Sequence, residues 1–310
     1  MTPLSRAVAV VGPTASGKSA LAHALARRVS GAEILVVDSM TVYRGMDIAT
    51  AKPSEAQRRE VRYHLLDLIE ASDEFALAPY QHAAREAARD VASRGGSVIY
   101  VGGTGLYGRA ILDDFEIPGR YPEIAAELSA RLGRDRDALY AQLVALDPLA
   151  ASRVDARNDR RLVRALEVTL GSGRAFSSYG PGLETYGDVR VVQIGLTRPL
   201  DELDERIDAR FRDFLDRGLL EEVRALTARG LSRTARQAVG YRELLAHVEG
   251  GEDVASCVAA AIAQTRRLAR RQLRWFQRDP RIEWFTDPEE ALARGEQVLR
   301  GSSSSGKLNS

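Results

Sequence analysis

Val8-Ala9-Val10-Val11-Gly12-Pro13-Thr14-Ala15-Ser16-Gly17-Lys18-Ser19 decides how this chain folds. Four apolar residues lead into G-x-x-x-x-G-K-S, and a stretch with helical spacing follows. A strand, a glycine-rich turn and a helix start in that order present backbone N–H groups to an anion. The lysine adds a compact charge, and the Ser19 hydroxyl suits a magnesium ion that bridges phosphate oxygens. Residues 12–19 therefore bind a di- or triphosphate, with its identity left open. Composition sharpens the point. Among 44 Lys plus Arg, only Lys18, Lys52 and Lys307 are lysine. A chain that uses arginine for nearly every cation keeps lysine where a point charge must reach a phosphate oxygen. The same argument, more weakly, suggests an anion contact for Lys52.

Working outward, residues 6–112 alternate between strand and helix patterns. Apolar runs at 8–11, 34–37 and 97–101 read as buried strands, and 19–29 and 79–94 as helices. Strands alternating with helices imply a parallel sheet covered on both faces, with ligands beyond the carboxyl ends of the strands. The loops starting at Gly12, Asp38 and Gly102 would then surround one crevice. From about Pro118 the texture changes. Segments 122–132, 137–146 and 159–170 are helical by spacing with no strand between them, and 189–196 reads as a returning strand. Two long helices, about 200–228 and 252–278, come next. The expected class is α/β: a P-loop-type parallel sheet with helices on both faces and a helical insertion domain. Its spans are 1–117 for the first part of the core and 118–185 for the insertion. The rest of the core takes 186–300, and 301–310 is a Ser/Gly-rich disordered tail.

The 310 residues are 45% hydrophobic and 28% charged, the proportions of an ordinary globular protein. One cysteine, Cys257, excludes a disulfide scaffold or a Cys-rich zinc module and favours a reducing compartment. Neither a signal-peptide pattern nor a run of about 20 apolar residues is present, so a cytoplasmic protein without membrane partners is expected. The net charge is +1, yet 257–278 holds six arginines and no acid, and 151–180 six arginines against three acids. Local basicity in a neutral chain points to a defined anionic partner surface.

Several residues carry candidate chemistry. Asp38 ends the second strand, where a carboxylate beside a phosphate cradle holds magnesium or accepts a proton from a nucleophile. Gly102, Gly103 and Gly105 allow close backbone approach to a ligand. Thr104 is placed to hydrogen-bond a substrate and Tyr107 to pack on it, although a plain strand-to-helix turn explains both. Arg267, Arg271, Arg274 and Arg278 recur at helical spacing with Trp275 and Phe276 among them. No acid in that stretch neutralises them, and an arginine stripe with aromatics suits a phosphodiester backbone.

Together these segments resemble the bacterial tRNA dimethylallyltransferases, also called tRNA isopentenyltransferases. The resemblance rests on residues 12–19, Asp38-Ser39-Met40-Thr41-Val42-Tyr43, 47–53, His64-Leu65-Leu66-Asp67, 102–107, RRLVRALEV at 160–168, Val239-Gly240-Tyr241-Arg242, and Arg271-Gln272 with Trp275-Phe276. They occur in family order over about 270 residues. Thr41 stands where the family usually has Gln, Ala49 where it has Gly, and Arg62-Tyr63 where it has Pro-His. The resemblance implies transfer of a dimethylallyl group from dimethylallyl diphosphate to N6 of the adenine just 3′ of a tRNA anticodon. By position it makes Asp38 the general base, Thr104 an acceptor-side contact and Arg210 the pyrophosphate clamp. Gly12, Pro13, Thr14, Ala15, Ser16, Gly17, Lys18 and Ser19 become the diphosphate cradle, with Ser19 on Mg2+. The implied tRNA contacts are Asp38, Ser39, Met40 and Thr41; Arg160, Arg161, Leu162, Val163 and Arg164; and Gln237, Ala238, Val239, Gly240, Tyr241 and Arg242. The arginine stripe adds Arg267, Arg271 and Arg274. A monomer acting on the anticodon stem-loop is expected.

The residues suit that reaction. With diphosphate as the leaving group, the cradle stabilises charge on departing oxygens. The adenine amine becomes acidic only as its new C–N bond forms, so an ordinary carboxylate can take its proton late. An anticodon loop releases a base from its stack more cheaply than a duplex does. Three rivals stay open: a prenyltransferase acting on free adenine nucleotides, a small-molecule kinase, and an RNA-binding ATP switch.

Overall fold

Parallel strands need a crossover between each neighbouring pair, and the chain provides one every time. The computed structural model describes residues 6–155 and 157–301. Strands β1 (Ala7–Val11), β2 (Ala32–Val37), β3 (Tyr63–His64), β4 (Ser97–Gly102), β5 (Val192–Leu196) and β6 (Ile282–Phe285) form one sheet in the order β3-β2-β4-β1-β5-β6, every pairing parallel. Strand β1 is buried throughout. Successive side chains point to opposite faces, so Ala7, Ala9 and Val11 enter one apolar cluster and Val8 and Val10 the other.

Helix α1 (Lys18–Arg28) follows β1, and α2 (Glu55–Glu60) precedes β3. Helices α3 (Leu77–Ser93) and α4 (Gly105–Leu112) flank β4. The register sets Val11 opposite Gly102 on one side and Gly195 on the other, and Val37 also opposite Gly102. The chain thus leaves β1, β2 and β4 at one edge of the sheet, where ligands bind in such folds. Strands β2 and β4 meet closely at that edge, since a Cβ on Gly102 would lie 1.9 Å from the Val37 carbonyl oxygen.

Asp113–Gly187 forms a separate compact unit, against 118–185 expected from the sequence. It contains α5 (Pro122–Leu146), α6 (Pro148–Arg153) and α7 (Asp159–Ser172) around Leu128, Leu139, Leu143, Leu162 and Leu166. The sequence pattern separated 122–132 from 137–146, and the backbone does leave helical geometry at Asp135. The chain then returns to the first unit.

There α8 (Leu200–Asp216), α9 (Leu219–Arg229), α10 (Tyr241–Gly250) and α11 (Val254–Phe276) follow β5, and α12 (Pro288–Arg300) follows β6. Side chains of α3, α8, α9, α10 and α11 enter one sheet-face cluster, and those of α1 and α12 the other. The single helix expected over 200–228 is two helices, because Gly218 takes φ +89° and redirects the chain. Helix α10, strand β6 and helix α12 had no counterpart in the sequence reading. Of the expected tail, 302–310 lies outside the described residues. Among the described residues no helix is long and apolar enough to cross a membrane.

Candidate active site

The loop after β1 is a cradle closed by its own backbone. The Ser16 amide donates to the Pro13 carbonyl at 3.3 Å, and Gly17, at φ +101°, turns the chain into α1. No side chain caps α1 and its first turn holds no acid, so its N-terminal amides stay available to an anion. Ser16 Oγ is buried without a hydrogen-bond partner. Lys18 Nζ donates to the Pro13 carbonyl at 3.1 Å. Burial and then the Arg210 charge push the Lys18 pKa down to about 8, against the pull of Asp38. A half-buried lysine losing basicity for want of counter-charge gains from any anion placed beside it. Arg210, on α8, reaches Thr14 Oγ1 at 3.3 Å, and its own pKa is lowered by burial and by Arg206.

Asp38 follows β2. Its Oδ1 accepts the Met40 amide at 2.7 Å, and Thr104 donates its hydroxyl to Oδ2 at 3.4 Å. The Thr41 amide is a further donor. Burial nevertheless raises the carboxyl pKa, outweighing Met40, Lys18, Thr41 and Thr104, which all favour the ionised form. A carboxylate held above its usual range is a better proton acceptor. Beside Thr104 lies a small apolar cavity lined by Val11, Val37, Tyr100, Ile111, Leu112 and Phe276 among others. Tyr107 stacks edge-on against Tyr80 with centroids 4.8 Å apart.

Helix α11 joins these loops. Gln272 Oε1 accepts the Thr14 amide at 2.8 Å, while its Nε2 donates to the Gly103 carbonyl at 3.0 Å. A Cβ on Gly105 would lie 2.0 Å from Trp275 Nε1, so α4 starts against the indole only because residue 105 is glycine. Of the six arginines read as unneutralised, two are paired. Arg266 binds Asp208, and Arg270 binds Asp204, both acids on α8. Pattern alone misses this because the acids sit on another helix. Arg267, Arg271, Arg274 and Arg278 are exposed and have no acidic partner among the described residues.

The remaining sequence candidates divide by exposure. Ser39 and Met40 are half-buried next to Asp38, and Thr41 Oγ1 is buried without a partner. Arg160 and Arg161 are exposed on α7. Leu162 is instead fully buried in the insertion's core, and Val163 packs against it. Arg164 is tied inward, to Glu167 at 2.8 Å and the Pro118 carbonyl at 2.9 Å. Gln237 and Arg242 are exposed, and Arg242 pairs with Glu243. Val239 is half-buried, whereas Ala238, Gly240 and Tyr241 are buried. The side chains of Leu162, Ala238 and Tyr241 thus pack rather than face a partner. Tyr241 donates to Glu222 Oε1 at 2.5 Å, and Glu222 accepts the Asp47 and Ile48 amides, steadying the segment that follows Asp38.

The anions that Lys52 contacts are carboxylates of the chain itself, not a ligand phosphate. Its Nζ is surrounded by the Tyr43 carbonyl, Asp47 Oδ1 and Asp67 Oδ1, each at 2.6 Å, and Arg58 completes the cluster on Asp67. Those oxygens satisfy all three ammonium donors. Two residues with a hold on the cradle went unassigned in the sequence. Arg198 donates from Nε to the Ser16 carbonyl at 3.0 Å, and Arg206 from Nε to the Ala15 carbonyl at 2.7 Å. The described residues contain no group of three or more His, Cys, Asp or Glu that could hold a metal. What the cradle offers a cation is the exposed Ser19, in the first turn of α1.

The family model described as IPP transferase matches residues 41–279. That stretch holds Thr104, Arg210 and α11, and it begins after the cradle and Asp38. A tRNA dimethylallyltransferase of Bifidobacterium animalis subsp. lactis is 43% identical over 293 residues, covering 93% of this chain and 84% of that protein. A tRNA dimethylallyltransferase of Kineococcus radiotolerans is 46% identical over 293 residues, covering 91% of each. The crystal structure of a full-length tRNA isopentenylpyrophosphate transferase from Bacillus halodurans superposes with a TM-score of 0.69 at 32% identity, covering 96% of both chains. By sequence and by fold, the chain belongs to the IPP transferase family of tRNA dimethylallyltransferases.

Proposed function

We propose that this chain transfers the dimethylallyl group of dimethylallyl diphosphate to N6 of the adenine 3′-adjacent to the anticodon, position 37 of tRNA, and releases diphosphate. One observation carries the reading. An uncapped helix start with Lys18 and Arg210 adjoins a carboxylate whose pKa is raised, with Thr104 between that carboxylate and an apolar wall. In the reaction the N6 lone pair attacks C1 of the allyl group. The C1–O bond breaks, its electron pair leaves with the diphosphate, and Asp38 takes the proton that N6 sheds. The cradle amides, Lys18 and Arg210 stabilise the departing charge. The apolar lining beside Thr104 suits the hydrocarbon.

Magnesium fits this site as a companion of the ligand. With no cage of protein carboxylates, Ser19 would hold it together with phosphate oxygens and water. Bound there, it would neutralise part of the diphosphate charge. The exposed arginines of α11 and α7 suit the RNA backbone, which a free nucleotide substrate would not need. The protein is proposed to act as a monomer, on cytoplasmic tRNA. Mass spectrometry of nucleosides is the test, after incubating the protein with magnesium, dimethylallyl diphosphate and an unmodified anticodon stem-loop. The expected result is one adenosine heavier by a dimethylallyl group. An unchanged RNA, modified free AMP, or transfer of a labelled γ-phosphate from ATP would overturn the proposal.

A further inference from the structure

The cradle is held from outside as well as from within. Arg198 stands two residues before α8, and Arg206 lies on α8 one turn before Arg210. Arg210 approaches the cradle through the Thr14 hydroxyl, whereas the other two donate Nε to backbone carbonyls. In a trans peptide the carbonyl and the following N–H point in opposite directions. Holding the Ser16 carbonyl toward Arg198 therefore turns the Gly17 N–H the other way. Holding the Ala15 carbonyl toward Arg206 turns the Ser16 N–H back to the Pro13 carbonyl, which closes the turn. Ala15 has φ +65°, left-handed backbone that a residue with a Cβ adopts only when its surroundings enforce it.

Glu202 prepares both arginines. Its Oε1 lies 2.6 Å from Arg198 Nη1 and 4.0 Å from Arg206 Nη1. The carboxylate binds one edge of the Arg198 guanidinium and lies within ion-pair reach of Arg206, so it offsets part of both charges while each Nε stays on the loop. Groups meant only to attract an anion gain nothing from such a counter-charge.

We propose that Arg198 and Arg206, oriented by Glu202, are positioning residues for the diphosphate: they fix the peptide planes of residues 15–17 so that the cradle amides are preset for the ligand. The inference rests on the proposed function, and the experiment separates the two. Arg198→Lys, Arg206→Lys, the corresponding Met variants and Glu202→Gln are compared with the unmodified chain. The readouts are calorimetric binding of inorganic diphosphate in excess magnesium, and separate KM values for the prenyl donor and the stem-loop.

Lysine keeps the charge and can keep the pair with Glu202, but it has no Nε–H aimed along the carbonyl. The Lys and Met variants are expected to bind diphosphate about tenfold or more weakly. The donor KM should rise to match, while the stem-loop KM changes by less than about twofold. Glu202→Gln is expected to give a smaller loss in the same direction. If the Met variants fail to fold, the Lys variants decide. Wild-type affinity in the Lys variants would show that the fixed guanidinium fork is not needed and overturn the inference. So would equal rises in both KM values, the mark of general loosening. An unmodified chain that binds no diphosphate would bring down the proposed function and this inference with it. Transfer and binding in the unmodified chain with no effect in the variants would bring down the inference alone.

Discussion

Asp38 is kept at a cost. Its folded-state pKa is raised by burial, so the ionised carboxyl is less comfortable in the folded chain than in the unfolded one. The sign follows: folding is favoured as pH falls through the raised pKa and penalised above it, where the group is charged. Asn keeps an acceptor for the Met40 amide and supplies a donor for Thr104 Oγ1, without the charge. Asp38→Asn is therefore expected to lower turnover by about 10²–10⁴-fold while the melting temperature holds or rises. In the unmodified enzyme the acid limb of kcat/KM should lie above the usual carboxylate range, read from a pH profile. A melting temperature well below wild type would show that the carboxylate serves the fold instead. Lys52 is the opposite case, a charge whose partners all come from the chain. Lys52→Met leaves Asp47 and Asp67 facing each other, with water reaching both, and is expected to cost about 2 kcal/mol in urea unfolding. The folded variant should keep its diphosphate affinity.

Helix α11 works through two faces. Gln272 and Trp275 hold the loops at Thr14, Gly103 and Gly105, while Arg267, Arg271, Arg274 and Arg278 stay exposed. Arg271→Glu combined with Arg274→Glu is expected to raise the stem-loop KM about tenfold or more and to flatten its dependence on log salt by about one to two. Diphosphate affinity should change by less than about twofold, because the inner face is untouched. A salt-independent defect would mean that the helix had shifted. The outer face was legible in the sequence, since its spacing is the helical period itself. The inner face was not. Gln272 bonds a backbone amide 258 positions away, and Arg198 and Arg206 bond carbonyls 182 and 191 positions away. A contact to backbone places no demand on the partner's residue type, so no motif marks it. Neutralisation of Arg266 and Arg270 was hidden likewise, because their acids lie on α8.

At the scale of the molecule, the cradle, Asp38 and Thr104 belong to segments far apart in sequence, Asp38 and Thr104 by 66 positions, and parallel register alone brings their loops to one edge. That much followed from alternating strand and helix patterns. The part after Leu196 was less legible, because Gly218 splits what reads as one amphipathic run and strand β6 has only four residues. The chain divides between cores. Leu128, Leu139, Leu143, Leu162 and Leu166 form a cluster within Asp113–Gly187, separate from the two clusters on the sheet faces. Leu143 is completely buried there, so Leu143→Ala is expected to cost about 2–5 kcal/mol of that unit's stability. The cost should stay local, since the clusters of the sheet lose no side chain. Segment-resolved hydrogen exchange should speed up within 113–187 and remain slow in β1, β2 and β4, with diphosphate binding unchanged. The stem-loop KM should rise, because α7 carries Arg160 and Arg161 and loses its support. If exchange accelerated throughout the sheet and diphosphate binding fell in step, the insertion would be part of the same cooperative unit, and its arginines would no longer be a separable grip on RNA.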